Sequence, residues 1–211
     1  MMRRFLFYME LSVFTVCIIS FAPISSFAQS PTEEVKTTID AIIAELKKKP
    51  ASAQEKEERR AVIRALVADR FDYEEMSRRS LARHWKEMTS EERTAFVSVF
   101  TDLLEVAYIK RIESYTDEEI FYNKEKIRGK GTRAVVRTTV MTKKVDIPIE
   151  YKVVRRNNKW LVYDVVVEGV SFVSTYRSQY DSIIRKESFE ALLKHMEKKV
   201  EEHKAEQPTK G

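Results

Sequence analysis

The sequence predicts an α+β fold in which a curved antiparallel sheet of about four strands packs against several helices. Apolar residues recur at helical spacing over residues 31–115 and again over residues 172–200. Between these blocks, residues 119–168 alternate apolar and polar side chains, as half-buried strands do. Short turns separate the alternating segments, which makes neighbouring strands antiparallel. Helices and strands gathered in separate blocks favour α+β over an alternating α/β fold.

The first 28 residues have the pattern of a secretory signal peptide. Arg3 and Arg4 precede an apolar stretch at residues 11–22, and the small residues Ser26 and Ala28 stand at the −3 and −1 positions of a cleavage site. A membrane anchor is the alternative, but the apolar stretch is shorter than the roughly 20 residues that span a bilayer. We therefore expect export and cleavage after Ala28.

The composition indicates one exported domain without disulfides. The chain has 211 residues, of which 43% are apolar and 34% charged, and this is sufficient for one domain. We assign that domain to residues 29–200 and a charged, flexible tail to residues 201–211. The single cysteine, Cys17, lies inside the predicted signal peptide. The net charge of +5 is spread along the chain, so we expect no nucleic-acid binding.

Capping signals delimit the first two helices. Ser30 and Glu33 form a capping box around Pro31, which suits the first position of a helix. Pro50 ends this first helix because proline cannot continue it. A second helix is expected over about residues 55–69, where the apolar side chains share one side.

Two more helices complete the first helical block. Asp72 is an N-cap signal that opens a short helix directed toward Trp85. Thr89 and Glu92 form a second capping box, and from it the longest helix runs to about Tyr115. The apolar stripe of this long helix comprises Phe96, Phe100, Leu103, Leu104, Ala107, Tyr108 and Ile112.

Four strands are expected, over residues 119–127, 132–142, 144–155 and 159–168. The third has the clearest alternation, and its apolar positions are Val145, Ile147, Ile149, Tyr151 and Val153. Pro148 cannot donate a hydrogen bond to a neighbouring strand, which predicts an edge strand or a bulge at this position.

Helices return after a short turn at residues 168–171, which we interpret as a structural joint. Gly169 can adopt backbone angles that other residues avoid, and Ser171 can cap the helix that follows. Ser188 is the N-cap signal of the last helix.

Motifs for catalysis or metal binding do not occur in the sequence. The three histidines, His84, His195 and His203, do not have the spacing of metal ligands. The sequence contains no nucleophile elbow, phosphate-binding loop or dinucleotide fingerprint. We therefore expect no catalytic residue, no metal and no cofactor.

The best enzymatic candidate is an acid in the last strand. Asp164 or Glu168, together with Tyr163 or Tyr151, could serve as a general acid or base. The two acids also share one strand face, so they more simply mark the outer face of the sheet. The apolar face of the sheet and the stripe of the long helix then meet either in a filled core or around an apolar cavity, and the pattern alone leaves both open.

Residues 71–115 and 160–199 resemble the MlaC family, also called the toluene-tolerance family, of periplasmic phospholipid-binding proteins. The order of signal peptide, helical half, sheet and closing helices follows the family over nearly the whole mature chain. The most specific residues are Trp160, Tyr163, Asp164, Val165, Glu168, Gly169, Val170, Ser171, Tyr176 and Arg177, and in the helical half Trp85, Thr89, Glu92, Arg93, Phe96 and Phe100.

The resemblance implies a periplasmic carrier with an NTF2-like, cone-shaped fold and no cofactor. Its cargo would be a phospholipid, held by its acyl chains between sheet and helices. The carrier would exchange lipid with an inner-membrane ABC transporter complex and with an outer-membrane lipoprotein/porin assembly, and so maintain outer-membrane lipid asymmetry. The side chains expected to line the cavity are Phe96, Phe100, Leu103, Leu104, Tyr108, Val145, Ile147, Ile149, Tyr151, Val165, Val167, Phe172 and Tyr176.

Three alternatives stay open at this point. A hopanoid-type lipid would suit the same kind of apolar cavity. A small-molecule isomerase or hydratase would use Asp164 as its base. A purely structural periplasmic partner would have a filled core.

The signal peptide leads to the first testable prediction. The exported protein should begin at Gln29, because the small residues before it fit signal peptidase. N-terminal sequencing of the exported protein measures this directly. Exported protein that retained Met1, or that stayed in the membrane fraction, would contradict the prediction.

Overall fold

The computed structural model describes residues 29–115 and 118–206. The predicted signal peptide lies outside these residues, and so does the end of the predicted tail from residue 207. The elements in chain order are α1 (Pro31–Leu46), α2 (Ala53–Arg70), α3 (Tyr73–Leu81), α4 (Ser90–Glu113), β1 (Glu119–Arg128), β2 (Arg133–Met141), β3 (Asp146–Arg156), β4 (Lys159–Val167), β5 (Val170–Ser171), α5 (Phe172–Lys186) and α6 (Phe189–Ala205).

The predicted α+β fold is confirmed. The strands form one antiparallel sheet in the order β1-β2-β3-β4-β5, and the helices pack against it and against one another. β5 was not predicted, because a strand of two residues carries no periodic signal. β1 is the long free edge of the sheet, and its pairing with β2 shifts register between Tyr122 and Lys124.

Pro148 lies neither on an edge strand nor at a bulge, so that prediction is wrong. β3 pairs with β2 on one side and β4 on the other, and Pro148 stands opposite Thr139 of β2. Its carbonyl accepts a hydrogen bond at 3.0 Å from the backbone N–H of Glu168, just beyond the end of β4. The ring nitrogen points to the same side as this carbonyl, where β4 has already ended, so no ladder hydrogen bond is lost.

A buried ion pair anchors the hairpin of α1 and α2 to the sheet. Glu34 of α1 is only 6% exposed; it pairs with Arg70 of α2 and accepts a hydrogen bond at 3.1 Å from the backbone N–H of Trp160 in β4. Arg70 also donates to the Trp160 carbonyl at 2.8 Å and to Thr38 Oγ1 at 2.9 Å. The pair therefore joins two helices and a strand at one point.

A second ion pair joins the other end of α2 to the end of α4. Arg60 donates to both carboxylate oxygens of Glu113 at 2.8 Å, and Arg59 reaches the same carboxylate at 3.4 Å. The hydrogen bond from Arg60 holds the pKa of Glu113 below its ordinary value. The hairpin of α1 and α2 is thus held at its base and at its tip.

The first half of α4 packs into an all-helical core with α5 and α6. Phe96 and Phe100 are fully buried, and each makes an edge contact with the Tyr180 ring, at 5.6 and 6.1 Å between centroids. Leu192 and Met196 of α6 complete the centre of this core. The side chains at the centre of this core are excluded from solvent.

The predicted joint between the last long strand and α5 is confirmed. Glu168 and Gly169 adopt φ values of 50° and 83°, which turn the chain sharply after β4. Ser171 then caps α5 by accepting a hydrogen bond at 3.1 Å from the backbone N–H of Ser174.

The C-terminal boundary differs from the predicted one. α6 continues to Ala205, so residues 201–205 are helical and the boundary at residue 200 is wrong. Val200 is buried against the helical core, and one further turn of helix follows it. Among the helices of the described ranges, none has the length and apolarity to cross a membrane.

Gly169→Val should lower the free energy of unfolding by roughly 1–2 kcal/mol, because a left-handed backbone is costly for residues other than glycine. A side chain at this position would meet no atom within 4 Å, so the backbone alone carries the cost. Chemical denaturation measures the effect.

Gly169→Asn is the matched control, because asparagine tolerates positive φ far better than a β-branched residue. It should cost clearly less than Gly169→Val. Equal losses for the two variants would show that the backbone conformation is not the cause.

Candidate functional site

A large apolar cavity of about 590 Å³ lies between the sheet, the hairpin of α1 and α2, and the second half of α4. This is within the usual range for sites that bind small organic molecules.

The floor of the cavity is one face of β3 and β4. Ile147, Ile149 and Tyr151 alternate along β3 and therefore point to the same side. Val167 and Val165 of β4 stand directly opposite Ile149 and Tyr151. Cross-strand pairing thus produces a continuous floor of branched and aromatic side chains.

The walls are three apolar helix stripes. They comprise Val35, Ile39, Ile42, Ile43 and Leu46 from α1, Ile63 and Val67 from α2, and Leu104, Tyr108, Ile109 and Ile112 from α4. The α4 stripe was predicted from the sequence, whereas α1 and α2 were not assigned to the site. The isoleucines of α1 form an apolar stripe that the sequence shows. The pattern of a buried helix face is the same, however, whether the face packs in a core or lines a cavity.

Burial moves the pKa of two cavity tyrosines further above neutral pH, where a phenol is already uncharged. It raises the pKa of Tyr151 to about 12, and it also raises the pKa of Tyr73. Neither phenol ionises at neutral pH.

Five charged residues line the cavity, namely Arg64, Arg70, Glu105, Arg111 and Glu118. Arg70 is engaged by Glu34 and Trp160. Arg64 of α2 and Glu105 of α4 lie on opposite walls, and burial raises the pKa of Glu105. The interior is therefore apolar, with a few charged groups in its helical walls.

Eight of the thirteen predicted site residues line this cavity. They are Leu104, Tyr108, Ile147, Ile149, Tyr151, Val165, Val167 and Phe172. Whether they contact lipid stays a prediction.

Phe96, Phe100 and Leu103 do not line the cavity, and their assignment to it is wrong. They are buried in the helical core. α4 has 24 residues, so it is about 36 Å long at 1.5 Å per residue. One apolar stripe of this length meets the helical core with its first half and the cavity with its second.

Tyr176 and Val145 were also assigned to the cavity wrongly. Tyr176 and Leu103 line a separate pocket of about 300 Å³ between α4, α5 and α6. Val145 is 57% exposed in the turn before β3, which begins one residue later than Val145.

Asp164 lies on the outer face of the sheet, as predicted, but it is buried, at 3% exposure. Its carboxylate accepts hydrogen bonds from Lys152 Nζ at 2.8 Å, Ser171 Oγ at 2.7 Å and the backbone N–H of Val173 at 3.2 Å. Asp164 therefore ties β3, β4 and the start of α5 together on the side away from the cavity. Across residues 29–115 and 118–206, no cluster of three potential metal ligands occurs.

Comparison with known families decides the classification. The family model described as MlaC protein matches residues 36–198. The chain belongs to the MlaC family. The resemblance noted in the sequence is thereby confirmed, and the match extends from α1 to α6.

Two known proteins are similar to this MlaC-family chain. The intermembrane phospholipid transport system binding protein MlaC of Haemophilus influenzae is 22% identical over 142 residues, which span 65% of this chain and 66% of that protein. A structure of the phospholipid-binding protein from Ralstonia solanacearum, in complex with a phospholipid, has a TM-score of 0.74 at 22% identity. That match covers 83% of this chain and 99% of the other, and it shows that the two share a fold.

Asp164→Asn should lower the free energy of unfolding by roughly 2–3 kcal/mol, because it leaves a hydrogen-bonded, largely buried ion pair half-formed. Chemical denaturation measures the loss. Glu168→Gln, the same change at an exposed acid nearby, is the control and should have little effect. Unchanged stability in Asp164→Asn would contradict the structural role.

Proposed function

We propose that this protein is a periplasmic carrier that binds a phospholipid by its acyl chains. The observation that carries the proposal is the apolar cavity of about 590 Å³ between sheet and helices. The names of the two similar proteins, both of which refer to phospholipid, support it.

The physical need for such a cavity follows from the cost of exposing lipid tails to water. Two acyl chains contain roughly 30 methylene groups at about 0.8 kcal/mol each, so their transfer through water costs about 24 kcal/mol. A floor of valines and isoleucines, walled by three apolar helix stripes, lowers that cost by replacing water around the tails.

Binding rather than catalysis is the role that we propose for the cavity. Asp164, the strongest enzymatic candidate, points away from the cavity, and its carboxylate accepts three hydrogen bonds from Lys152, Ser171 and Val173. Tyr163, one of its two candidate partners, packs against the helical core with its ring 4.1 Å from the Arg79 guanidinium. Tyr151, the other, faces the cavity from the other side of the sheet. An acid and a tyrosine on opposite faces cannot act on one substrate.

The partners that we propose are two membrane assemblies. By family analogy, the carrier exchanges lipid with an inner-membrane ABC transporter complex and an outer-membrane lipoprotein/porin assembly, and so maintains outer-membrane lipid asymmetry. The name of the Haemophilus relative, an intermembrane transport system component, supports this assignment.

Mass spectrometry of an organic extract of the purified protein tests the cargo. Diacyl phospholipid at a defined ratio to protein is the expected result. A hopanoid would change the cargo within the same carrier mechanism, whereas extracts without lipid would overturn the proposal.

Ile149→Trp tests whether the cavity holds the tails. The indole can occupy tail space in the cavity, so this variant should fold, melt near the wild type once both are delipidated, and retain roughly half as much lipid or less. In a filled core the same change would overpack and cost about 1–3 kcal/mol. Both proteins must be delipidated because bound ligand raises apparent stability by mass action.

Lys124→Trp is the control, because Lys124 is exposed on the outer face of the sheet, where its strand neighbour is Arg137. This variant should retain its lipid. Equal lipid contents in the two variants, or an unfolded Ile149→Trp protein, would rule out tail binding at Ile149.

A further inference from the structure

Glu105 is an acid in the wall of an apolar cavity without a direct partner. It lies in the second half of α4, between the cavity-lining residues Leu104 and Tyr108. No hydrogen bond or ion pair reaches its carboxylate from any residue that the structure describes. Burial disfavours its charged form and raises its pKa. A half-buried carboxylate of this kind is costly unless a ligand supplies the missing cation.

Arg64 supplies the opposite charge from the facing wall. It lines the same cavity from α2, its side chain is 35% exposed, and its charge acts on Glu105 without forming a direct ion pair. One of its nitrogens binds the exposed acid Glu57 at 2.6 Å. A guanidinium has five N–H donors, so others remain for a ligand.

We propose that Arg64 and Glu105 form a head-group site that favours phospholipids with a zwitterionic, ammonium-bearing head. Arg64 faces the phosphate and Glu105 faces the ammonium group. Such a head carries its anion and its cation a few bonds apart, which matches two opposite charges on facing walls that do not pair with each other. The inference rests on the proposed lipid-binding function and adds selectivity to it.

The selectivity between head groups comes from Glu105 and not from Arg64. Every phospholipid has a phosphate, so Arg64 attracts all of them. Only an ammonium-bearing head satisfies Glu105, and a head without a cation leaves the carboxylate unpaired. An anionic lipid such as phosphatidylglycerol is thus disfavoured relative to phosphatidylethanolamine.

Competitive loading tests the site. Delipidated protein is incubated with vesicles of equal parts dioleoyl phosphatidylethanolamine and dioleoyl phosphatidylglycerol, re-isolated, and its lipids are quantified by mass spectrometry. Because the two lipids have identical tails, their ratio on the protein reports the head group alone. Glu105→Gln should lower the ratio of bound ethanolamine lipid to glycerol lipid roughly three- to tenfold. Arg64→Gln should lower total loading and leave the ratio nearly unchanged.

Glu91→Gln is the matched control, because Glu91 is an exposed acid near the start of the same helix and does not line the cavity. It makes the same chemical change and should keep the wild-type ratio. A wild-type ratio in Glu105→Gln, or an equal fall in Glu91→Gln, would overturn the head-group site while total loading still supports the carrier. A wild-type protein that takes up neither lipid would instead overturn the carrier function itself.

Discussion

The cavity depends on the buried pair of Glu34 and Arg70. An ion pair removed from water is stable only when hydrogen bonds satisfy its remaining polar atoms. Here the backbone of Trp160 supplies both a donor and an acceptor, so α1 and α2 are fixed to β4 near the base of their hairpin. Thr32 of α1 adds hydrogen bonds to Glu125 of β1, and the pair of Arg60 and Glu113 holds the other end of the hairpin against α4. These polar attachments fix the positions of the helices whose apolar faces line the cavity.

The fold separates the part that provides stability from the part that provides function. The first half of α4 forms a buried apolar core with α5 and α6, and its second half borders the cavity. A cavity weakens a protein because its lining lacks contact partners. The helical core supplies the buried apolar contacts that the cavity lining lacks. A ligand that binds only the folded protein raises its stability by mass action.

Local signals in the sequence predicted local structure well. The capping boxes at Ser30 and Thr89, the alternation of β3 and the turn at Gly169 all involve residues close in sequence, and the structure has each of them. Features that depend on distant partners were not predictable in this way. Pro148 is tolerated in a central strand because β4 ends beside it, and Asp164 is buried because Ser171 and Val173 fold back over it. The stripe of α4 was correctly recognised, but nothing within one helix indicates where along its length the packing partner ends.

The two edge strands of the sheet limit edge-to-edge association between copies of the protein. Two copies of a protein can join edge to edge, because an unpaired strand offers free backbone hydrogen bonds. β5 has two residues, too few to template a long ladder. β1 is long, but its register shift at Tyr122–Lys124 distorts the ladder, and the charges of Lys124, Lys126 and Arg128 follow directly. The exposed Phe121 and Ile127 thus lie in a strand that a second copy cannot extend easily. Resistance to aggregation is in this way encoded in the outermost strands of the sheet and not in its cavity.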